Sequence, residues 1–269
     1  MKRIKNVLGL ILVAVAQAAR ALRFPVLSPV AYLVPGQFPS VQDFRNYATT
    51  TLNLEVIKQD LYDTNLYPTA GMTNLAFFST PQGQGLSAHQ GNANAVKNLA
   101  DTNMVLGGQL QRGQAFFIDS IQVDFESGSV STANTFTPMA PMTSTATPVV
   151  TTTGSAGVND KAFVINSGAL VLTIGTKPYL QDAPLCKFPP QWRFETSNAF
   201  AGGVSGTIMI NLASSYAGGL LYKINPGLTL FDGQSFGVSL QWPTVQATPS
   251  GFNGQMRVVL GGWLARPVQ

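Results

Sequence analysis

His89, Cys186 and a few carboxylates are the side chains here that could do chemistry, and their number and spacing limit what that chemistry is. His89 is the only histidine and Cys186 the only cysteine among 269 residues. A serine or cysteine nucleophile needs a base beside it and a third group to orient that base. The lone histidine falls in a Gly/Gln/Asn-rich stretch, Pro81 to Asn94, and reads as a solvated loop residue. Cys186 sits beside Lys187 and ahead of Pro189-Pro190, and reads as a small packed residue. A single cysteine also excludes an intrachain disulfide and a multi-cysteine zinc site. Asp60 and Asp63 near Asn65 could offer oxygens to calcium, with turn and cap duties as the ordinary alternative. Asp119 interrupts the apolar side of a strand, where a hydrolytic carboxylate pair would have to begin. There is no HExxH, no phosphate-cradling glycine loop and no dinucleotide fingerprint. Trp192, Trp242 and Trp263 could form a sugar-stacking platform. Trp242 continues an alternating apolar face, however, and Trp263 follows Gly261-Gly262, so core or subunit contact is expected. The expectation is a non-enzyme, with no catalytic residue, cofactor or metal site.

The elements that would position these residues are strands. Gly113-Gln114-Ala115-Phe116 opens an apolar run through Phe125, and Gly233-Gln234-Ser235-Phe236, 120 positions later, opens the run to Trp242. In the second, Phe236, Val238, Leu240 and Trp242 alternate with small or polar residues, the period of a strand with one buried face. Leu52, Leu54 and Val56 match Leu170, Leu172 and Ile174 at an offset of 118, and Phe77-Phe78 matches Phe194-Glu195 at 117. Collinear matches suggest a duplicated unit, although strands of any β-protein resemble one another. Aligning Gln122 with Gln241 needs a one-residue slip, which turns a strand over unless a bulge absorbs it.

Composition agrees with a β-protein built for contact. Charged residues are 10 % of the chain against about 25 % in an average soluble protein. The 26 glycines and 17 prolines exclude a helical bundle, and the 45 % hydrophobic content argues against overall disorder. A surface so poor in charge is normally covered by large contacts with other subunits. The net charge of +4 is local: Lys2, Arg3, Lys5, Arg20 and Arg23 precede the first acid, Asp43, leaving 11 bases against 12 acids in the body. The body therefore offers no basic patch, and sequence-specific nucleic-acid binding is not expected.

Residues 1–23 join a basic start to an apolar run, Val7 to Ala16, and to Ala16-Gln17-Ala18, the plan of a cleavable secretory signal. The preferred expectation is a retained arm, helical from about residue 2 to 22. Its apolar centre, Val7 to Ala19, would reach about 20 Å, short of a roughly 30 Å hydrocarbon core, and so would dip into one leaflet rather than span. Pro25, Pro29, Pro35 and Pro39 make residues 24–50 an irregular connector.

Strands are expected at 51–59, 74–79, 114–125, 162–166, 169–175, 206–212, 235–242 and 256–264, and less firmly at 103–107, 148–153, 218–223 and 227–231. A short helical turn is expected at Ala93 to Leu99. Pro81 to Asn94 and the Ser/Thr/Ala/Pro tract Ser127 to Val158 read as long loops. The duplicate of strand 256–264 should lie near 136–144, which is not strand-like.

Three stretches carry a family resemblance. They are Leu170-Val171-Leu172-Thr173-Ile174-Gly175-Thr176-Lys177-Pro178-Tyr179-Leu180, then Gly233-Gln234-Ser235-Phe236-Gly237-Val238-Ser239-Leu240-Gln241-Trp242-Pro243, and the closing run Met256 to Gln269. Over residues 45–269 the chain resembles the major capsid proteins of tailless, membrane-containing bacterial viruses, the tectivirus- and corticovirus-like double jelly-roll lineage. The resemblance implies two antiparallel sandwiches side by side. Residues 1–45 would be the arm and Pro-rich connector, 46–158 the first roll with its Ser/Thr loop, and 159–269 the second. It further implies homotrimers that act as near-hexagonal tiles of an icosahedral virion, touching neighbouring capsomers and minor or vertex proteins. The arm cations Lys2, Arg3, Lys5, Arg20 and Arg23 would face an internal lipid membrane. A single jelly roll with long loops is the alternative fold. The rival function is a secreted bacterial adhesin or carbohydrate-binding module whose signal is cut after Ala18, and a glycan-cleaving spike enzyme is a third.

Overall fold

The computed structural model describes residues 37–38, 40–88, 95–129, 137–138, 153–190, 193–202, 208–217, 220–249, 251 and 253–268. Residues 1–36, and with them the five arm cations, lie outside the described residues, as do His89 and Trp192. In chain order the strands are β1 (Gln37–Phe38), β2 (Leu54–Lys58), β3 (Leu61–Tyr67), β4 (Asn74–Phe77), β5 (Ala115–Ser129), β6 (Thr137–Pro138) and β7 (Ala169–Ile174). They continue as β8 (Lys177–Asp182), β9 (Arg193–Gly202), β10 (Ile208–Ala217), β11 (Tyr222–Phe231), β12 (Phe236–Gln241) and β13 (Gly254–Pro267). Two helices interrupt them, α1 (Val41–Thr50) and α2 (Thr153–Ser167). Among these helices none is long and apolar enough to cross a membrane.

All pairing is antiparallel. One sheet runs β1-β11-β5-β13, with β2 and β3 both on the far side of β13. The other runs β4-β12-β7-β8, and β9 and β10 form a separate hairpin. The sheets close on one main interior, which includes Phe77, Phe116, Ile121 and Phe125 from before residue 158 and Leu170, Leu172, Phe236, Leu240 and Leu260 from after it. Burying each such side chain stabilises by about 1.5–3 kcal/mol.

This overturns the expected division into two sandwiches at 46–158 and 159–269. Strand β5 of the first stretch is hydrogen-bonded between β11 and β13 of the second, and β4 pairs with β12. The matched segments are not equivalent strands either: β2 borders β13 in one sheet while β7 is central in the other. What the Gly-Gln pairs share is turn chemistry. Gly113 (φ +78°) and Gly233 (φ +76°) both take the left-handed conformation that glycine adopts without strain. The two turns are neighbours in the one sandwich. No second interior comparable to this one forms after residue 158 among the described residues.

Strand β5 changes register partway along its length. Phe116 and Ile118 face the interior before the change, and Ile121, Val123 and Phe125 after it. The register jumps opposite Gly261 and Gly262, leaving Asp119 out of the ladder in a bulge. A side chain on Gly262 would meet the Phe117 carbonyl oxygen at 2.1 Å, so the close approach needs glycine.

Phe117 and Ala115 face the other way and are covered by α1. Phe44 and Ala48, one turn apart, are buried, and the Phe44 ring stacks on Phe117 at 5.4 Å between centroids. Residues 41–50 were expected to be irregular. They are helical because the last proline, Pro39, precedes the cap: the Ser40 hydroxyl accepts the Asp43 N–H at 3.2 Å and donates to the Asp43 carboxylate at 2.6 Å. The expected strand at 162–166 is also helix, the last turns of α2. Its apolar run did not separate the two, and only Val164 and Ile165 enter the core while Phe163 is exposed. Trp242, expected in the core, is buried there, and its indole N–H donates to the Val164 carbonyl at 2.9 Å, one of the unpaired carbonyls of that helix end.

Strands β3, β8 and β9 were not expected, nor were the two-residue β1, in the connector read as irregular, and β6, within 136–144. β3 carries an aspartate on its inward face, and β8 carries Pro178, tolerated because β8 is an edge strand. Of the expected strand 218–223 only residues 222–223 are strand; they join 227–231 in one strand, β11, with an irregularity between Lys223 and Leu228, and residues 218–219 lie outside the described residues. Residues 103–107 form only an isolated bridge, and 95–98 form no helical turn. The strand expected at 148–153 falls largely outside the described residues; only Thr153 is described, as the first residue of α2.

Candidate interaction surface

The residues singled out for chemistry go to separate places. Asp60 accepts the Gly262 N–H at 3.1 Å and lies 3.2 Å from Lys58 Nζ. Asn65 donates its side-chain amide to the Ala76 carbonyl at 2.8 Å and so ties β3 to β4. Asp63 turns inward. The three oxygens therefore do not converge on a cation, and among the described residues no group of three or more His, Cys, Asp or Glu is placed to hold a metal. Asp119, in its bulge, accepts the Ser120 hydroxyl at 2.9 Å and Lys223 at 3.4 Å, an exposed pair of small energetic weight. Trp263 is half-buried, with Arg45 and Lys58 at 5.6 and 5.7 Å from its ring.

Cys186 is exposed in a single 3-10 turn, Leu185–Lys187. Beside it, Lys187 donates to Asp182 at 2.7 Å and Tyr222 donates to the same carboxylate at 3.2 Å. The hydrogen bond from Lys187 holds the Asp182 carboxyl below its usual range and the same contact raises Lys187. Burial, followed by the charge of Asp182, raises the Tyr222 phenol. These contacts fasten the chain between β8 and β11 and assemble no nucleophile.

The stretch between β4 and β5 is different. It leaves β4 at Phe78, a buried residue in the left-handed region (φ +66°), an outlier for so bulky a side chain. The Phe78 N–H donates to Asp63 Oδ2 at 2.7 Å, and Lys97 Nζ reaches Asp63 Oδ1 at 2.6 Å. Both ionic side chains are sealed, at 1 % and 3 % exposure. Burial pushes the Asp63 carboxyl above its ordinary value, against the opposing pull of Lys97, of the Phe78 N–H and of Thr102. Asp101, also buried, accepts the N–H groups of Ala88 at 2.9 Å and Asn98 at 3.0 Å. Main-chain bonds join Gly83 to Lys97 and Ser87 to Ala95, at 2.8 Å each, and the Tyr62 hydroxyl donates to the Leu99 carbonyl.

The loop is thus held from inside by its charges and shows none of them outside. Lys97 and Asp101 are its only Asp, Glu, Lys or Arg residues from Phe78 to Leu110, and both are buried. Its exposed large hydrophobic side chains are Leu86, Val96, Leu99, Val105 and Leu106, five of the eleven such residues on the described surface. Five exposed aliphatic side chains on one segment with no exposed Asp, Glu, Lys or Arg are residues that a contact surface could draw on. Beside it, Ser79, Gly107 and Gly108 and the outer side of the second sheet, Ala76, Thr173 and Ser239, wall an uncharged groove of about 350 Å³.

Sequence reading treated Pro81 to Asn94 as an irregular loop and missed the roles of Lys97 and Asp101. The available signal was the coincidence of several aliphatic residues with almost no charge over a long stretch. In comparisons with known proteins, no protein-family profile, curated protein or solved structure matches the chain.

Proposed function

We propose that this chain is a structural shell protein, a capsid subunit whose copies assemble through charge-free surfaces around one jelly roll per chain. The strand orders β3-β13-β5-β11 and β4-β12-β7-β8 are those of an eight-strand roll closed from two four-stranded sheets, an architecture used by capsid and lectin domains. On this reading the long connections β5–β7 and β8–β11 are insertions in one roll. A six-cornered trimer is not part of the proposal, because it needs two rolls per chain. The arm with Lys2, Arg3, Lys5, Arg20 and Arg23 faces lipid on the inner side of the shell, a placement supported by its composition alone.

The carrying observation is the loop from Phe78 to Leu110, which spends a buried ion pair on holding exposed aliphatic side chains in place. A fold hosts many functions, so the surface rather than the roll supports assembly over a carbohydrate module. The test is Leu86→Ser/Val96→Ser/Leu99→Ser. Loss of high-mass assemblies with an unchanged circular dichroism spectrum is expected; unchanged assembly would overturn the proposal. Intact-mass analysis separates the rival: a mature start at Ala19 favours the secreted module.

A further inference from the structure

We propose that the Asp63–Lys97 pair is a proton-operated latch: protonating Asp63 releases the stretches 78–88 and 95–102 and with them the exposed Leu86, Val96 and Leu99. Its consequence for assembly rests on the shell reading; the latch itself does not.

Among the loop's attachments, one carboxylate ties two distant points of it to the sheet. Asp63 stands on the inward face of β3, between the buried Leu61 and Tyr67. It binds Lys97 from one end of the loop and the strained Phe78 backbone from the other. The ionised group is all acceptor, and it meets donors from Lys97 and Phe78. A proton on either oxygen removes the negative charge and replaces an acceptor by a donor aimed at other donors. Lys97 is then a sealed ammonium that has lost its counter-ion, a state costly enough to drive it to water. Val96 and Leu99 flank Lys97 and move with it.

The surroundings contain few other charges. Asp101 on the same loop is engaged by the Ala88 and Asn98 N–H groups. Tyr62 on β3 donates to Leu99, and Arg257 on β13 lies 4.6 Å over the Tyr62 ring. β4 and β12 carry no charged residue, and on β13 the residue opposite Asp63 is Val258. Burial moves the Asp63 proton uptake upward from the ordinary carboxylate range.

Hydrogen exchange of the full chain, corrected for intrinsic rates, reads the latch directly. Peptides covering 83–88 and 95–102 are expected to lose protection about tenfold or more between about pH 7.5 and about pH 5, while β5 and β13 keep theirs. Asp63→Asn, which mimics the protonated form, should show the acid-level exchange already at neutral pH. Asp63→Leu/Lys97→Met should remove the pH dependence, and His89→Gln should leave it intact. Constant protection in the wild-type chain overturns the proposal. So does an unprotected loop that remains pH-dependent in Asp63→Asn, or a dependence abolished by His89→Gln. Sizing the same samples keeps the two readings apart: a monomer with a pH-dependent loop contradicts the shell and leaves the latch standing.

Discussion

The Gly113 N–H donates to the Asp232 carboxylate at 2.8 Å, across 119 residues of sequence. The Asp232 N–H returns a bond to the Gln114 carbonyl at 3.1 Å, so the turns that open β5 and β12 are stapled together at one end of the sandwich. Two motifs that look like copies of a domain are two corners of the same one.

Stability measurements on this corner should show coupling. Gly233→Ala places a Cβ at φ +76° and is expected to cost about 1–2 kcal/mol. Asp232→Ala should cost about 1 kcal/mol by leaving the Gly113 N–H unpaired. Gly113→Ala and Asp232→Ala combined should depart from additivity in urea melts, because the residues touch. Additive costs would mean that the turns act separately.

The buried pair of Asp63 and Lys97 should behave asymmetrically. Removing one partner, as in Lys97→Met or Asp63→Leu, is expected to destabilise by up to about 3–5 kcal/mol, because the other group must either stay buried without its counter-ion or open the loop to reach water. The double variant should cost less than either single one. A double-mutant cycle in chemical denaturation gives the sign.

Alkaline stability should depend on Tyr67. Its ring is fully buried against Phe125 and Trp242, and its hydroxyl donates to the Gln246 carbonyl. Burial raises the phenol from 10.0 to about 12. Below about pH 10 both folded and unfolded chains keep the proton, and the contribution is complete. As pH rises from 10.0 through about 12 the unfolded chain ionises first, so stability falls, by about 3 kcal/mol in all. Tyr67→Phe should flatten that part of the melting-temperature profile while losing about 1 kcal/mol at neutral pH.

Trp242→Phe should loosen α2. The indole N–H to Val164 contact is the polar link between β12's end and the helix, and removing it is expected to cost about 1–3 kcal/mol. Increased exchange in peptides covering 160–167, with β12 unchanged, would be the local readout.

Strands whose side chains alternate cleanly, β7 and β12, were legible in the sequence nearly to the residue, while β13, expected at 256–264, runs from Gly254 to Pro267. β3 was not, because an inward aspartate breaks its apolar period and only Lys97, 34 residues on, makes that tolerable. α1 was legible in principle from Ser40 and Asp43, but the prolines before it masked the cap. The contact loop has no period at all; its meaning lies in which of its residues are hidden. The apparent duplication misled for a definable reason, since two glycine turns with the same left-handed residue open strands at the same end. Nothing in a linear pattern distinguishes that from two folded copies.

Light scattering coupled to size separation, on the purified full-length chain at neutral pH and moderate salt, tests the assembly claim most directly. Many-copy particles, reduced to single chains by Leu86→Ser/Val96→Ser/Leu99→Ser, are the predicted result. A wild-type chain that runs as a stable, soluble monomer of 28.6 kDa would contradict it.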